Sequence, residues 1–152
     1  MKKTKKLLLL FAVIVTALVC FALSASALNA TGQCGDNVYW EYNSTTGELV
    51  ISGEGAMTDY KLVYNDTLEA MTDSPFFYSD IKSVVINNGV TTIGDYAFYS
   101  CGSLTEVTIG NSVTTIGDWA FCYCGSLTDV YYGGTQEQWE KISIGEKNSS
   151  IL

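Results

Sequence analysis

Histidine and arginine are both missing from the 152-residue chain. Without histidine there is no Ser-His or Cys-His couple, and the commonest zinc and haem ligand is gone. Cations are scarce as well. Lys2, Lys3, Lys5 and Lys6 sit together at the start, and from residue 28 onward only Lys61, Lys82, Lys141 and Lys147 remain, facing all 16 Asp and Glu for a net charge of −12. A chain this acidic repels phosphate backbones and anionic lipid, which argues against nucleic acid as a partner. The acidity is not that of a disordered segment, because apolar and aromatic residues are plentiful and evenly spaced. These absences point away from an enzyme. A carboxylate-based hydrolase is a remote alternative, since any two of the acids fit its requirement and nothing singles out a pair.

The four early lysines precede an apolar run from Leu7 to Leu23, then Ala25-Ser26-Ala27. A positive n-region, an apolar core and an A-x-A site describe an export signal, residues 1–27, cleaved after Ala27. An uncleaved membrane anchor is the competing reading, as the run approaches spanning length. Cleavage leaves a secreted or cell-surface chain with no membrane insertion.

What is present is a repeat. Residues 81–103 and 104–126 share 14 of 23 positions without a gap, and a third copy starts at Leu127 before departing. Such a period predicts a solenoid whose coils bury matching apolar positions against each other. Ile81, Val84, Ile86, Val90, Ile93, Ala97 and Phe98 face inward in the first copy. Leu104, Val107, Ile109, Val113, Ile116, Ala120 and Phe121 do so in the second, and Leu127, Val130 and Tyr132 begin the third. Coils advance ~4.8 Å per repeat, the strand spacing of a sheet. Gly94 and Gly117 are expected to permit a tight bend, and Asp95 and Asp118 to N-cap a short helical turn.

Residues 28–80 read as a leading module. Val38–Tyr42 and Glu48–Ser52 alternate as two strands of a β-hairpin, residues 57–73 read as a loop with one helical turn, and Ser74–Asp80 resembles the decayed end of an earlier repeat. Residues 127–152 read as an exit cap in which Thr135–Gln138 forms a capping box opening a short helix. There Trp139 and Ile142 either cover the last coil, or Trp139 takes the inward place of Ile116 in a degenerate third repeat. Ile144 starts one more strand. Ile151 and Leu152 place apolar side chains at the end of the sequence, which suggests a fragment of a longer repeat protein as an alternative to an independent binder.

The unit L-T-x-V-x-I-x-x-S-V-T-x-I-G-x-x-A-F-x-x-C-x-S at 104–126 resembles the repeat of bacterial BspA-like leucine-rich repeat proteins. Cys34-Gly35-Asp36-Asn37 with Trp40, the Gly47–Met57 stretch and Ser74-Pro75 are similar to the module that often precedes such repeats. Tyr131–Thr135 with Trp139 and Ile144-Gly145 are similar to their usual ending. The resemblance implies an α/β leucine-rich-repeat solenoid of parallel strands and short helical turns with an N-terminal β-hairpin cap. It also implies a surface-exposed or secreted binding role, including adhesion to host proteins or other cells.

Three constellations invite a functional reading. Cys101 and Cys124 are repeat equivalents, read as stacked buried thiols or, with poor torsion, a disulfide. Cys122 replaces Tyr99 of the preceding repeat, and a Cys34–Cys122 bridge stays open. No metal or cofactor is expected, and Asp95 and Asp118 are read as caps. Tyr96 and Trp119 should stack on one flank, either as packing between coils or as a contact surface for sugar or protein. The outward strand positions form the other candidate surface: Lys82, Ser83 and Val85, then Thr105, Glu106 and Thr108, then Thr128, Asp129 and Tyr131. The expected ligand is a protein or a glycan, and with three strands the contact should be weak or depend on avidity. Four Asn-x-Ser/Thr triplets occur, at Asn29, Asn43, Asn65 and Asn148.

Overall fold

A computed structural model describes residues 29–64, 70–77 and 79–152. The export segment, residues 1–27, lies outside the described residues.

The described residues form three sheets. The largest has six strands in the order β1 (Asn29–Gly35), β2 (Val38–Asn43), β3 (Glu48–Gly53), β7 (Ser83–Ile86), β9 (Glu106–Ile109), β11 (Asp129–Tyr132). β1, β2 and β3 are antiparallel, whereas β3, β7, β9 and β11 run parallel. The second sheet is wholly parallel: β4 (Gly55–Ala56), β8 (Val90–Ile93), β10 (Thr115–Ile116), β12 (Ser143–Ile144). A small antiparallel pair, β5 (Leu62–Tyr64) and β6 (Ala70–Thr72), lies in the leading module. The chain crosses from the first sheet to the second within each coil and stacks the next coil on top. Ser83 pairs with Glu106, and Glu106 with Asp129, each at a spacing of 23 residues.

The expected inward positions of the two repeats are all buried, none more than 2% exposed. Phe76, Phe98 and Phe121 form one ring stack, with centroids 5.3 and 5.1 Å apart. Phe76 thus supplies the coil before the first repeat, as its place in Ser74–Asp80 suggested. Leu49 and Ile51 of β3 complete that coil, in register with Val84 and Ile86. The hairpin's second strand is therefore also the first parallel strand of the repeat array. β1 adds a further strand that its sequence, NATGQCG, does not announce. Residues 57–73 hold the β5–β6 pair, not the expected helical turn among the described residues.

The turns after β8 and β10 are not helical either. Ala97, Tyr99 and Cys101 N–H groups donate three residues back, to Gly94, Tyr96 and Phe98. Alternate N–H groups, of Tyr96, Phe98 and Ser100, instead donate to Asp118, Ala120 and Cys122 in the next coil, at 2.8–2.9 Å. A helix would turn all of them along its own axis. The alternation demands left-handed backbone at Tyr96, Ser100, Trp119 and Tyr123, with φ of 53–60°, a conformation that costs a non-glycine residue free energy.

Asp95 and Asp118 correct the capping expectation. Asp95 Oδ1 accepts from Asp118 N at 2.7 Å, and Asp118 Oδ1 from Glu146 N at 2.7 Å. Below them Asp59 Oδ1 accepts from Asp95 N at 3.1 Å. Each carboxylate brackets the coil above it. Gly94 and Gly117 are not in left-handed backbone. A side chain at Gly117 would meet the Asp95 carboxylate and backbone, and one at Gly94 the Thr58 carbonyl. Close approach between coils, not a bend, is what excludes a Cβ there.

The exit cap follows the first expected reading, and Trp139 does not take the inward place of Ile116. Helix α1 (Gln136–Trp139) opens on the Thr135–Gln138 capping box. Its Trp139 and the following Ile142 are half-buried against the core. Ile144, not Trp139, stands in register with Ile116, so α1 is an insertion within the third coil. Asn148, 2% exposed, closes the end: its Oδ1 accepts from Phe121 N, where Ala120 O serves Phe98 N one coil below. Its Nδ2 donates to the Gly117, Gly145 and Glu146 carbonyls. This Asn-x-Ser triplet is spent on the fold. Ile151 is buried in the core, while Leu152 is exposed.

All four described cysteines are free thiols. Cys101 Sγ donates to Phe76 O at 3.3 Å and Cys124 Sγ to Phe98 O at 3.2 Å, so the pair staples successive coils without a disulfide. Burial pushes both thiols from 9.0 up to about 12, and Cys34 up to about 11.

Replacing Phe121 by Ala removes the middle of the core where it has no room to collapse, and should cost ~3–5 kcal/mol in urea denaturation; a shift below about 1 kcal/mol contradicts the stacked core. Asn148→Ala leaves the Phe121 N–H and several carbonyls unpaired, and should cost ~1–3 kcal/mol by the same measurement. The thiols also predict an alkaline limit. Their folded values lie above the ordinary one, so the stabilisation is complete below pH 9 and is lost as pH rises from 9.0 toward 12. Stability should fall in that window by up to about 1.4 kcal/mol per pH unit per thiol, and a Cys101→Ala/Cys124→Ala variant should show a shallower decline.

Candidate binding surface

The outward side of the large sheet follows from strand alternation, which sends every second side chain away from the core. One outward row runs Asn43, Glu48, Ser83, Glu106, Asp129, and its neighbour runs Glu41, Val50, Val85, Thr108, Tyr131. The sequence-expected positions Ser83, Val85, Glu106, Thr108, Asp129 and Tyr131 all fall in these two rows. Three strands were expected to build the face. Six do, because β3 continues the parallel array and β1 and β2 extend it. At ~4.8 Å per strand the face is roughly 29 Å across. The signal that could have found the extension is the period-2 pattern of Glu48–Ser52, which matches that of Ser83–Ile86.

Lys82, Thr105 and Thr128 lie just before the strands, and their chemistry is partly structural. Thr105 Oγ1 donates to Lys82 O at 3.0 Å, whereas the Thr128 hydroxyl donates to the neighbouring Asp129 Oδ2 at 2.8 Å. The Thr105 side chain thus ties coil to coil, and all three residues remain exposed. The surface is strongly acidic: Glu41, Glu48, Glu106 and Asp129 occupy it, with Lys82 at the margin. Glu106 and Asp129 are direct cross-strand neighbours, a like-charge pairing that disfavours the bare sheet slightly.

Tyr96 and Trp119 belong to the turn side of the coil, not to the sheet face, so the two candidate surfaces are not joined. Their rings stack 6.0 Å apart and nearly parallel. Tyr99 packs against both, and Lys147 Nζ sits 5.9 Å from the Trp119 ring centroid. The tryptophan therefore meets an aromatic ring and a cation within its own chain. Partial burial with Asp95 and Asp118 nearby raises the Tyr96 phenol above its ordinary value. Tyr123 on this flank is 65% exposed.

Among the described residues no group of three or more His, Cys, Asp or Glu is arranged to hold a metal ion. Among them, too, no helix is long and apolar enough to cross a membrane. A cavity of about 540 Å³ lies beside β11 at the end of the array, between Val130, Tyr132, Trp139 and Ile151.

Comparison with known proteins agrees with this architecture. The profile of the BspA type leucine rich repeat region (6 copies) matches residues 59–148. A leucine-rich repeat protein from Eubacterium ventriosum is similar in structure, with 29% identity and a TM-score of 0.60 over 76% of this chain and 27% of that one. A leucine rich cell surface protein from Faecalibacterium prausnitzii aligns at 24% identity and a TM-score of 0.32, over 72% of this chain and 33% of that one. The chain thus spans 27% and 33% of these two proteins. No curated protein matches it. With the profile covering more than half of its length, and its coils in 23-residue register, the chain belongs to the BspA-type leucine-rich repeat family.

Proposed function

We propose that this chain is a non-catalytic interaction module, a short solenoid that presents the outward face of its six-stranded sheet to a partner protein outside the cell. One observation carries the reading. An acidic row, Glu48, Ser83, Glu106 and Asp129, runs beside a row of mixed apolar character, Val50, Val85, Thr108 and Tyr131. Regular and backed by the buried core, such a face suits a partner that offers basic side chains around an apolar ridge. Tyr131, 53% exposed, is the aromatic anchor. The lysine-led apolar start of the sequence and the absence of histidine support export and a non-enzymatic role.

A protein is favoured over a glycan as ligand by the turn flank. A sugar stacks on an open ring face, and Trp119 already shares its ring with Tyr96 and Lys147. Tyr123 and the ring edges are left to supplement a protein contact.

An array of secreted and surface proteins, with a parallel glycan array, tests this with the full chain. Binding to one or more basic proteins is expected, with affinity in the micromolar range and falling with added salt. A Glu106→Lys/Thr108→Glu variant should lose at least ~10-fold in affinity while its urea midpoint moves by less than about 0.5 kcal/mol equivalent. Silence on the protein array from folded material, or binding that survives the variant, overturns the proposal.

A further inference from the structure

The array is closed unevenly at its last coil. On the side of the second sheet, β12, Asn148 and Ile151 cover the core. On the side of the large sheet nothing in the described chain follows β11, which is an edge strand. Val130 and Tyr132 continue two inward rows whose earlier members, Leu49, Val84 and Val107, then Ile51, Ile86 and Ile109, are no more than 1% exposed. Val130 and Tyr132 are only half-buried. They form the inner wall of the 540 Å³ cavity, opposite Trp139 and Ile151, and its rim of Thr128, Thr135, Gln136 and Ser150 is uncharged.

The main chain states what fits there. At each lower coil the carbonyls before and at the end of the strand accept from the coil above: Lys82 O from Thr105 N, Ile86 O from Gly110 N, Thr105 O from Asp129 N, Ile109 O from Gly133 N, at 2.8–3.1 Å. The equivalent carbonyls on β11 are those of Thr128 and Tyr132, and the alternation of a parallel ladder adds Val130 between them. They point at the open side. A single further parallel strand would meet them, extend both inward rows and fill the cavity. The outward row specifies its charge. Asp129 already has Glu106 on one side, so a basic residue on the other relieves a like-charge pairing.

We propose that the free edge of β11 takes up an extended segment of a partner protein as a seventh, parallel strand, with the pattern basic, apolar, polar, apolar set opposite Asp129, Val130, Tyr131 and Tyr132. The site borders the outward sheet face and shares Asp129 and Tyr131 with it, but its apolar contacts and hydrogen bonds come from the inward rows and the strand edge.

Fluorescence anisotropy of the full chain with a panel of labelled peptides containing Lys-Φ-Thr-Φ, where Φ is Val, Ile or Leu, tests the assignment. Members of the panel should bind saturably, and exchanging their Lys for Glu should weaken binding about fivefold. N-methylation of the Thr amide, which the register aims at the Val130 carbonyl, should abolish binding. N-methylation of the first Φ amide, which faces away, should be tolerated. Asp129→Lys, an exposed change that leaves the core intact, should invert the Lys-over-Glu preference. Equal binding of both N-methylated forms, an unchanged preference in Asp129→Lys, or no saturable binding by the folded chain overturns the proposal. So does sedimentation showing that a second copy of the chain occupies this edge. A Glu106→Lys/Thr108→Glu variant keeps the N-methylation pattern if this site stands and the sheet-face reading fails.

Discussion

Coil-to-coil approach at Gly94, Gly117 and Gly145 is the constraint on which the remaining structure rests. A β-carbon at Gly117 would strike the Asp95 carboxylate and the backbone below it, and one at Gly145 the Asp118 carboxylate. The space is already occupied by hydrogen bonds: each aspartate accepts the backbone N–H of the residue after the next coil's glycine. Glycine and aspartate are therefore one device, in which the first permits the distance and the second uses it. Remove the glycine and the Asp–NH bracket opens. The Phe98–Phe121 stack at 5.1 Å and the parallel pairing on either side then lose their common spacing.

That spacing also explains the strained turns. Tyr96 and Trp119 adopt left-handed backbone at φ 53° and 58°, an unfavourable state for large side chains. In exchange, alternate N–H groups reach the next coil while the others close local turns, and no polar side-chain atom buried among the described residues lacks a partner. The cost is distributed over two coils and offset by burial of Ala97, Phe98, Ala120 and Phe121, all at 0% exposure. Cys101 and Cys124 belong to the same scheme. Their thiols reach the carbonyls of Phe76 and Phe98, and desolvation keeps them protonated and unreactive.

Much of this was legible in the letters. A gapless 23-residue repeat dictates which side chains stack, so the inward rows and the outward sheet positions were readable from spacing alone. Local conformation was less so. Asp-aromatic-Ala-Phe looks like a capped helical turn because aspartate is a common N-cap. The competing demand, a hydrogen bond across to a coil 23 residues away, leaves no mark within the segment itself. β1 was hidden for a similar reason: NATGQCG has no alternation, and pairing with β2 creates the strand. The outward face was underestimated because Glu48–Ser52 serves two structures at once, as the second arm of a hairpin and as the first parallel strand.

The two ends of the large sheet are finished by different physics. At β1 the inward positions are the small Ala30 and Gly32 and the buried Cys34, and the Trp40 ring of β2 packs over Gly32, so this edge presents little open apolar surface. At β11 the strand ends the parallel rows while they are still apolar. Asn148 solves the matching problem on the second sheet with a side-chain amide that imitates the main chain of an absent coil, accepting from Phe121 N and donating to three carbonyls. Among the described residues no side-chain amide stands beside Val130 and Tyr132 in this way, and only the Trp139 ring packs against Tyr132, with centroids 5.5 Å apart. A side-chain amide can replace one peptide group, but an edge strand offers several carbonyls in a line together with half-buried apolar side chains. Only another extended backbone matches both the hydrogen-bond spacing and the pleat. The asymmetry between the capped half and the open half is thus a property of what each kind of terminus can substitute for, and it makes the β11 edge chemically distinct from the rest of the surface.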